Sequence, residues 1–184
     1  MTEPISVAEA QAHLRVESDD PYYSSLPRYI TAARMTVEQY LNATIVNRSR
    51  SLVLDAFPAA SGYITLPDGP VTGITSIVYV DTDGVTQTLG GSPTHIRDRD
   101  RIMPAYGTTW PSTRAQLGAV TITYAAGMMA GSPLTLEDED IKAGVLLILG
   151  DLWQNRESQI IGVSAVVNPT VDRLLHFHRR NLGT

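Results

Sequence analysis

The sequence predicts an α+β protein. A small helical bundle from the N- and C-terminal segments carries an inserted antiparallel β module. Three observations point there. Apolar residues recur at helical spacing toward both ends of the chain. From about Val46 the period falls to two, as in strands with one buried face. Asp83-Gly84 then lies between two β-rich runs, a strong hairpin-turn signal. The boundaries fall at 1–45 and 133–184 for the bundle and at 46–132 for the β-rich insertion.

The elements follow in order. Ser6 and Glu9 form a capping box, and Val7, Ala10 and Leu14 continue it as a helix to about Val16. Ser18-Asp19-Asp20-Pro21 breaks the chain. A second helix starts near Ser25 with Pro27 in its first turn. Its stripe is Leu26, Ile30, Ala33, Val37 and Leu41, and Asn42 ends it. Strands are expected at 51–54, 63–66, 74–80, 85–89 and 120–124. A Pro/Gly-punctuated loop spans 90–118, with two short strands near His95 and Ile102. Thr135 is read as the cap of a helix whose first turn holds Glu137, Asp138, Glu139 and Asp140. Its inward stripe is Ile141, Val145, Ile148, Leu149 and Leu152, widened by Leu146, Leu147 and Trp153. A helix so apolar is expected to be buried on most sides. Asn168-Pro169 opens a last helix with Val171, Leu174, Leu175 and His178 on one side.

Composition narrows the function. The chain has 184 residues, 43% of them apolar, enough for a sizeable core. Charged residues are only 18%, below the roughly 25% usual for soluble domains. Such a surface leaves room for protein contacts. The net charge of -5 argues against a chain-wide electrostatic grip on nucleic acid. All basic residues but Lys142 are Arg, the cation that interfaces favour. With no cysteine there are no disulfides, thiolate nucleophiles or Cys-ligated metals. No secretory leader is visible in the first residues, and no apolar stretch is long enough to span a bilayer. The expectation is a soluble protein made in the cytoplasm, with no membrane partner.

No catalytic arrangement stands out. Asp81-Thr82-Asp83-Gly84 resembles the start of a calcium loop but lacks the downstream acidic ligand, so it reads as a plain turn. His176 and His178 are two apart on a helix and face different ways, which does not make a metal site. Neither a nucleophile elbow nor a phosphate-binding glycine fingerprint is present. No catalytic, cofactor or metal residues are assigned, and the chain is not read as an enzyme.

Two segments ask for a partner. If Arg97-Asp98-Arg99-Asp100-Arg101 is extended, Arg97, Arg99 and Arg101 share one face. That face suits a salt-bridge ladder to a neighbouring subunit or a polyanion; the other reading is a self-neutralised, solvated loop. The connector 157–167 carries Ile160, Ile161, Val163, Val166 and Val167, where connectors are ordinarily polar. It is either a short element packed on its own core or a segment that orders against another subunit. Trp110 and Trp153 are assigned as structural anchors.

Several motifs in order carry a family resemblance. They are 12–16 with Asp19-Asp20, the helix 29–41, Tyr79 to Val85, Pro104 to Arg114 with its Tyr-Gly-x-x-Trp-Pro-x-x-Arg stretch, Val120 to Gly127, and Asp151 to Glu157. Together they span about 7–180, and the chain resembles the head–tail connector (adaptor) proteins of tailed bacteriophages and gene transfer agents. The family's motifs are structural and bring no catalytic residues. One departure is that the C-terminus after Pro169 is short, with His178-Arg179-Arg180-Asn181 near its end.

The resemblance implies a homo-oligomeric ring, a dodecamer, beneath the portal at the head–tail junction of the virion or phage-like particle. It implies contacts with the portal protein and with a tail-side stopper or tail terminator. Packaged DNA would pass through the channel without specific binding. The C-terminal region is the portal-docking part, which makes Arg173, His176, Arg179 and Arg180 interface candidates beside the two segments above. The competing readings are a cryptic hydrolase or a DNA-binding module based on the β insertion, the latter using Arg97, Arg99, Arg101, Arg179 and Arg180.

Overall fold

The computed structural model describes residues 3–59, 61–90, 95–98 (backbone only), 100–129, 134, 138–155 and 169–180. The chain divides into two compact units, Met1–Val46 with Gly131–Thr184, and Asn47–Ala130. The first is helical and the second is built of antiparallel strands, so the α+β class holds.

The helical unit opens with α1 (Val7–Leu14). Its capping box is present: the Glu9 amide donates to the Ser6 hydroxyl at 3.1 Å, and the Ser6 amide donates to the Glu9 carboxylate at 2.7 Å. The Ser6 amide, and after it the Ser6 hydroxyl donating to the same carboxylate at 2.7 Å, hold the Glu9 carboxyl below the usual range. The helix stops at Leu14, short of Val16, because Arg15 adopts the left-handed conformation at φ 54.

A 3₁₀ turn (Tyr23–Ser25) leads into α2 (Leu26–Leu41). All five stripe residues are buried, and Asn42 ends the helix at φ 51. The same stripe also buries Arg34 and Glu38, one helical turn apart. Arg34 Nε reaches Glu3 and its Nη1 reaches Glu38, each at 2.7 Å. The other Glu38 oxygen accepts the amides of Ile45 at 2.8 Å and Val46 at 3.3 Å. The buried charges are thereby paired and hydrogen-bonded, the condition under which such burial is tolerated.

Helix α3 (Glu139–Gln154) has Asp138 at its N-cap position, and Thr135, expected as the cap, lies outside the described residues. Only Glu139 and Asp140 occupy its acidic first turn. Its buried residues are Ile141, Gly144, Val145, Leu149 and Trp153. Ile148 and Leu152 are half-buried, as are Leu146 and Leu147, so the helix is not enclosed on most sides. The run 141–145–149–153 takes the inward face, with Trp153 meeting Tyr29 edge-on at 5.4 Å. Helix α4 (Pro169–Leu175) follows, and a 3₁₀ turn (His176–His178) ends it.

The β unit has two sheets. In the larger, β1 (Arg48–Leu54), β7 (Val120–Ala126), β3 (Val71–Val80) and β4 (Thr86–Leu89) lie in the order β1-β7-β3-β4, all antiparallel. The smaller has β2 (Ile64–Thr65), β6 (Arg101–Pro104) and β5 (His95–Asp98) in the order β2-β6-β5. Along β7 every second residue is buried, so one face packs inward. Ile77, Val120, Ile122 and Tyr124 meet Ile64, Leu66, Ile102 and Trp110 in one core.

Two residues brace the irregular segments of this unit. The Trp110 ring stacks on Phe57 at 4.8 Å, and its indole N–H donates to the Gly62 carbonyl at 2.7 Å. The Tyr124 hydroxyl donates to the Pro67 carbonyl at 2.8 Å. The β3–β4 turn uses Asp81, whose carboxylate accepts the amides of Asp83 and Val85 and the Gln87 side chain. Gly84 supplies the positive φ of 85 the turn requires. The Gln87 bond, then that from Val85, holds the Asp81 carboxyl below the usual range.

Two tests follow. Glu38→Ala strands Arg34's second partner position and two buried amides; it is expected to cost about 3–5 kcal/mol in urea unfolding. A loss under about 1 kcal/mol would mean the network is dispensable. Trp110→Ala removes a buried ring and its hydrogen bond and is expected to cost about 3–5 kcal/mol in the β unit, followed by near-UV circular dichroism. An unchanged denaturation curve would remove it as an anchor.

Candidate assembly surfaces

The C-terminal segment is secured to the helical unit at several points. Leu175 is fully buried against Gly144, where even a Cβ would stand 2.9 Å from the Leu175 methyl. The Tyr40 hydroxyl donates to the Asp172 carboxylate, and this bond pushes the phenol upward in pKa. His178 Nε2 lies 2.6 Å from Asp140 Oδ2. The Arg179 guanidinium sits over the Tyr40 ring at 5.7 Å. The Arg180 amide donates to the Leu41 carbonyl at 2.9 Å, and Asn42 Nδ2 donates to the Arg180 carbonyl at 3.4 Å. Local helix geometry and side-chain latches together hold the segment in one course.

That course exposes a specific set. Arg173, His176 and Arg179 are exposed and Arg180 is half-buried. Phe177, absent from the sequence-based candidates, is 90% exposed, with His176 edge-on at 5.7 Å. The only sequence signal was an aromatic off the 171–175–178 face, between two histidines.

In the β unit the Arg/Asp run is not one extended strand. The chain reverses within it: Asp98 pairs with Arg101 and Arg97 with Ile102 across the β5–β6 hairpin. Three guanidiniums therefore do not line one face of a single strand. Arg99 lies outside the described residues. Asp100 is used internally; its carbonyl accepts the Leu66 amide at 2.7 Å and its carboxylate the Val71 amide at 2.8 Å. Arg101 is exposed with its guanidinium over the Tyr63 ring at 4.8 Å. Met103 and Tyr106 are exposed beside it in sequence. Aromatic, Arg and Met side chains of this kind are enriched in protein interfaces.

Ile160, Ile161, Val163, Val166 and Val167 lie outside the described residues. Trp110 and Trp153 are both buried. Among the described residues no group of three His, Asp or Glu side chains converges on a metal position. No described helix is long and apolar enough to cross a membrane.

No protein-family model matches the chain, and no curated protein matches it. Solved structures do. A chain in the neck of an empty gene transfer agent particle, computed with C6 symmetry, is 26% identical with a TM-score of 0.74. That match covers 100% of this chain and 96% of the other. The chain is built like a component of a particle neck. A chain of the native gene transfer agent virion is 25% identical, TM-score 0.73, over 98% of this chain and 93% of that one. A third, from the neck of a native particle computed with C12 symmetry, is 26% identical, TM-score 0.69, over 97% and 91%. Two of these neighbours come from structures of the particle neck and one from the virion, in keeping with the head–tail connector resemblance.

Gly144→Val tests how the C-terminal segment is held. The branched side chain has no room beside Leu175, so α4 is expected to lift from α3 at a cost of about 1–3 kcal/mol. Amide exchange across Val171–Leu175 should accelerate, with the β strands unaffected. Unchanged protection there would show that Leu175 repacks.

Proposed function

We propose that this protein is a head–tail connector that assembles as a ring beneath the portal of a phage or phage-like particle. In that role it extends the DNA channel and offers a platform to the tail or its stopper. The observation that carries the proposal is the full-length structural match to neck components solved with C6 and C12 symmetry. A ring of identical subunits needs two different complementary surfaces on each copy. The chain supplies separate exposed sets for such contacts, Phe177 with Arg173 and Arg179 in one unit and Tyr63, Arg101, Met103 and Tyr106 in the other. The apolar connector 157–167 is a further candidate.

The C-terminal segment is assigned to portal docking. An exposed aromatic on a segment that also exposes Arg173 and Arg179 has a composition that interfaces favour, and its pre-formed course lowers the ordering cost of binding. The net charge of -5 suits a channel through which DNA must slide, because few phosphates are neutralised.

Mixing the purified protein with portal rings and imaging by electron microscopy tests the role. Added rings on the portal are expected. Phe177→Asp should abolish portal attachment while circular dichroism stays that of the parent, because the ring is solvent-exposed. Persistent monomer with no portal binding would refute the role.

A further inference from the structure

The larger sheet of the β unit ends in two strands whose outer sides are open. No described backbone group pairs with the outer side of β1 from Ser49 to Leu54, or with that of β4. Exposed edges of this kind are usually blunted by Lys, Pro, charge or a bulge. Arg50 stands on β1, but Ser51-Leu52-Val53-Leu54 and Thr86-Gln87-Thr88-Leu89 carry none of these devices. Val53 is 57% exposed on β1, an apolar side chain on the outward face. Two open edges on one small sheet, β1 of seven residues and β4 of four, need an explanation.

The topology supplies one. All strand pairs in this sheet are antiparallel and the order β1-β7-β3-β4 has an even number of strands, so its two edges run in opposite directions. Set two copies side by side in the same orientation. Strand β4 of one then meets β1 of the next antiparallel, with both core faces on the same side. The apolar pattern also agrees. Leu52 and Leu54 at one edge and Leu89 at the other are half-buried members of the same core. Pairing that keeps their faces aligned joins these half-covered residues into one continuous surface. A head-to-tail contact of this sort propagates around a ring, whereas a two-fold contact of β1 with β1 would close as a dimer.

We infer that β4 of one copy pairs with β1 of the next, so that the four-stranded sheets join edge to edge around the ring. The occupant of each edge is thus a second copy of this chain. This rests on the ring assembly proposed above. The side-chain alternation restricts the register: Leu89 faces an even-numbered residue of β1 and Thr88 an odd-numbered one. Leu89 opposite Leu52 places Thr88 opposite Val53, and a shift of two places it opposite Ser51.

The absence of cysteine from the chain makes the test clean. Thr88→Cys combined with Val53→Cys, and Thr88→Cys combined with Ser51→Cys, are assembled with and without portal rings and then oxidised. A disulfide forms only where Cα atoms approach within about 7 Å. A ladder of covalent oligomers is expected from one of the two double variants. The wrong-face pair Thr88→Cys with Leu52→Cys and the single variants should give no ladder. Rings seen by microscopy with no ladder from either pair would overturn the edge pairing and leave the ring intact. Dimers from Val53→Cys alone would overturn it in favour of a two-fold contact. Absence of any ring, alone or on the portal, would overturn both proposals.

Discussion

The Glu38 carboxylate is the interaction on which the helical unit depends. It lies on the apolar stripe of α2, where a charge is costly unless every oxygen is used. One oxygen meets Arg34; the other accepts two backbone amides beyond the end of the helix. Arg34 in turn binds Glu3 from the N-terminal segment. Three stretches of chain are therefore fixed by a single ionic cluster: the entry to α1, the middle of α2, and the segment that leaves it. An apolar residue at position 38 would fill space but leave the Ile45 and Val46 amides without this acceptor. The cluster specifies direction as much as stability, because hydrogen bonds are directional and apolar packing is not.

The β unit solves a related problem differently. Much of it is irregular chain between short strands, which carries backbone groups that must be satisfied. Asp100 meets two of them, Trp110 one and Tyr124 one, each bonding a segment distant in sequence. Stacking of Trp110 on Phe57 adds apolar area at the same place. Loops braced in this way hold exposed side chains such as Tyr63, which lies under the Arg101 guanidinium of β6, in defined positions without long strands. A particle component that must mate with copies of itself needs such fixed positions, since an unformed surface would have to be ordered on assembly.

The two units thus present different materials for assembly. The helical unit offers a latched C-terminal segment ending in an exposed aromatic, and the β unit offers open backbone edges and an aromatic–Arg face. Neither material relies on net charge. That is consistent with a chain low in charged residues.

Local interactions were legible directly. The capping box at Ser6 and Glu9, the stripe of α2, the Asn42 terminus and the Asp83-Gly84 turn involve partners a few residues apart, so residue types and spacing suffice. Distant partners decided the rest. Ile64 pairs with Ile102, which joins the strands expected at 63–66 and near His95 and Ile102 into a second sheet. The reversal after Asp98 breaks the apparent Arg face, and Asp100 turns inward to bind Leu66 and Val71. Helix α3 faces inward along 141–145–149–153, a narrower face than the broad apolar stripe suggested. Phe177 is exposed because Val171 and Leu175 claim the inner face of the last helix. Arg34 and Glu38 sit in the core only because Glu3, Ile45 and Val46 converge on them. A charge in an apolar stripe shows nothing by itself of the partners that satisfy it. Those partners come from elsewhere in the chain, and only the folded arrangement brings them within hydrogen-bonding distance.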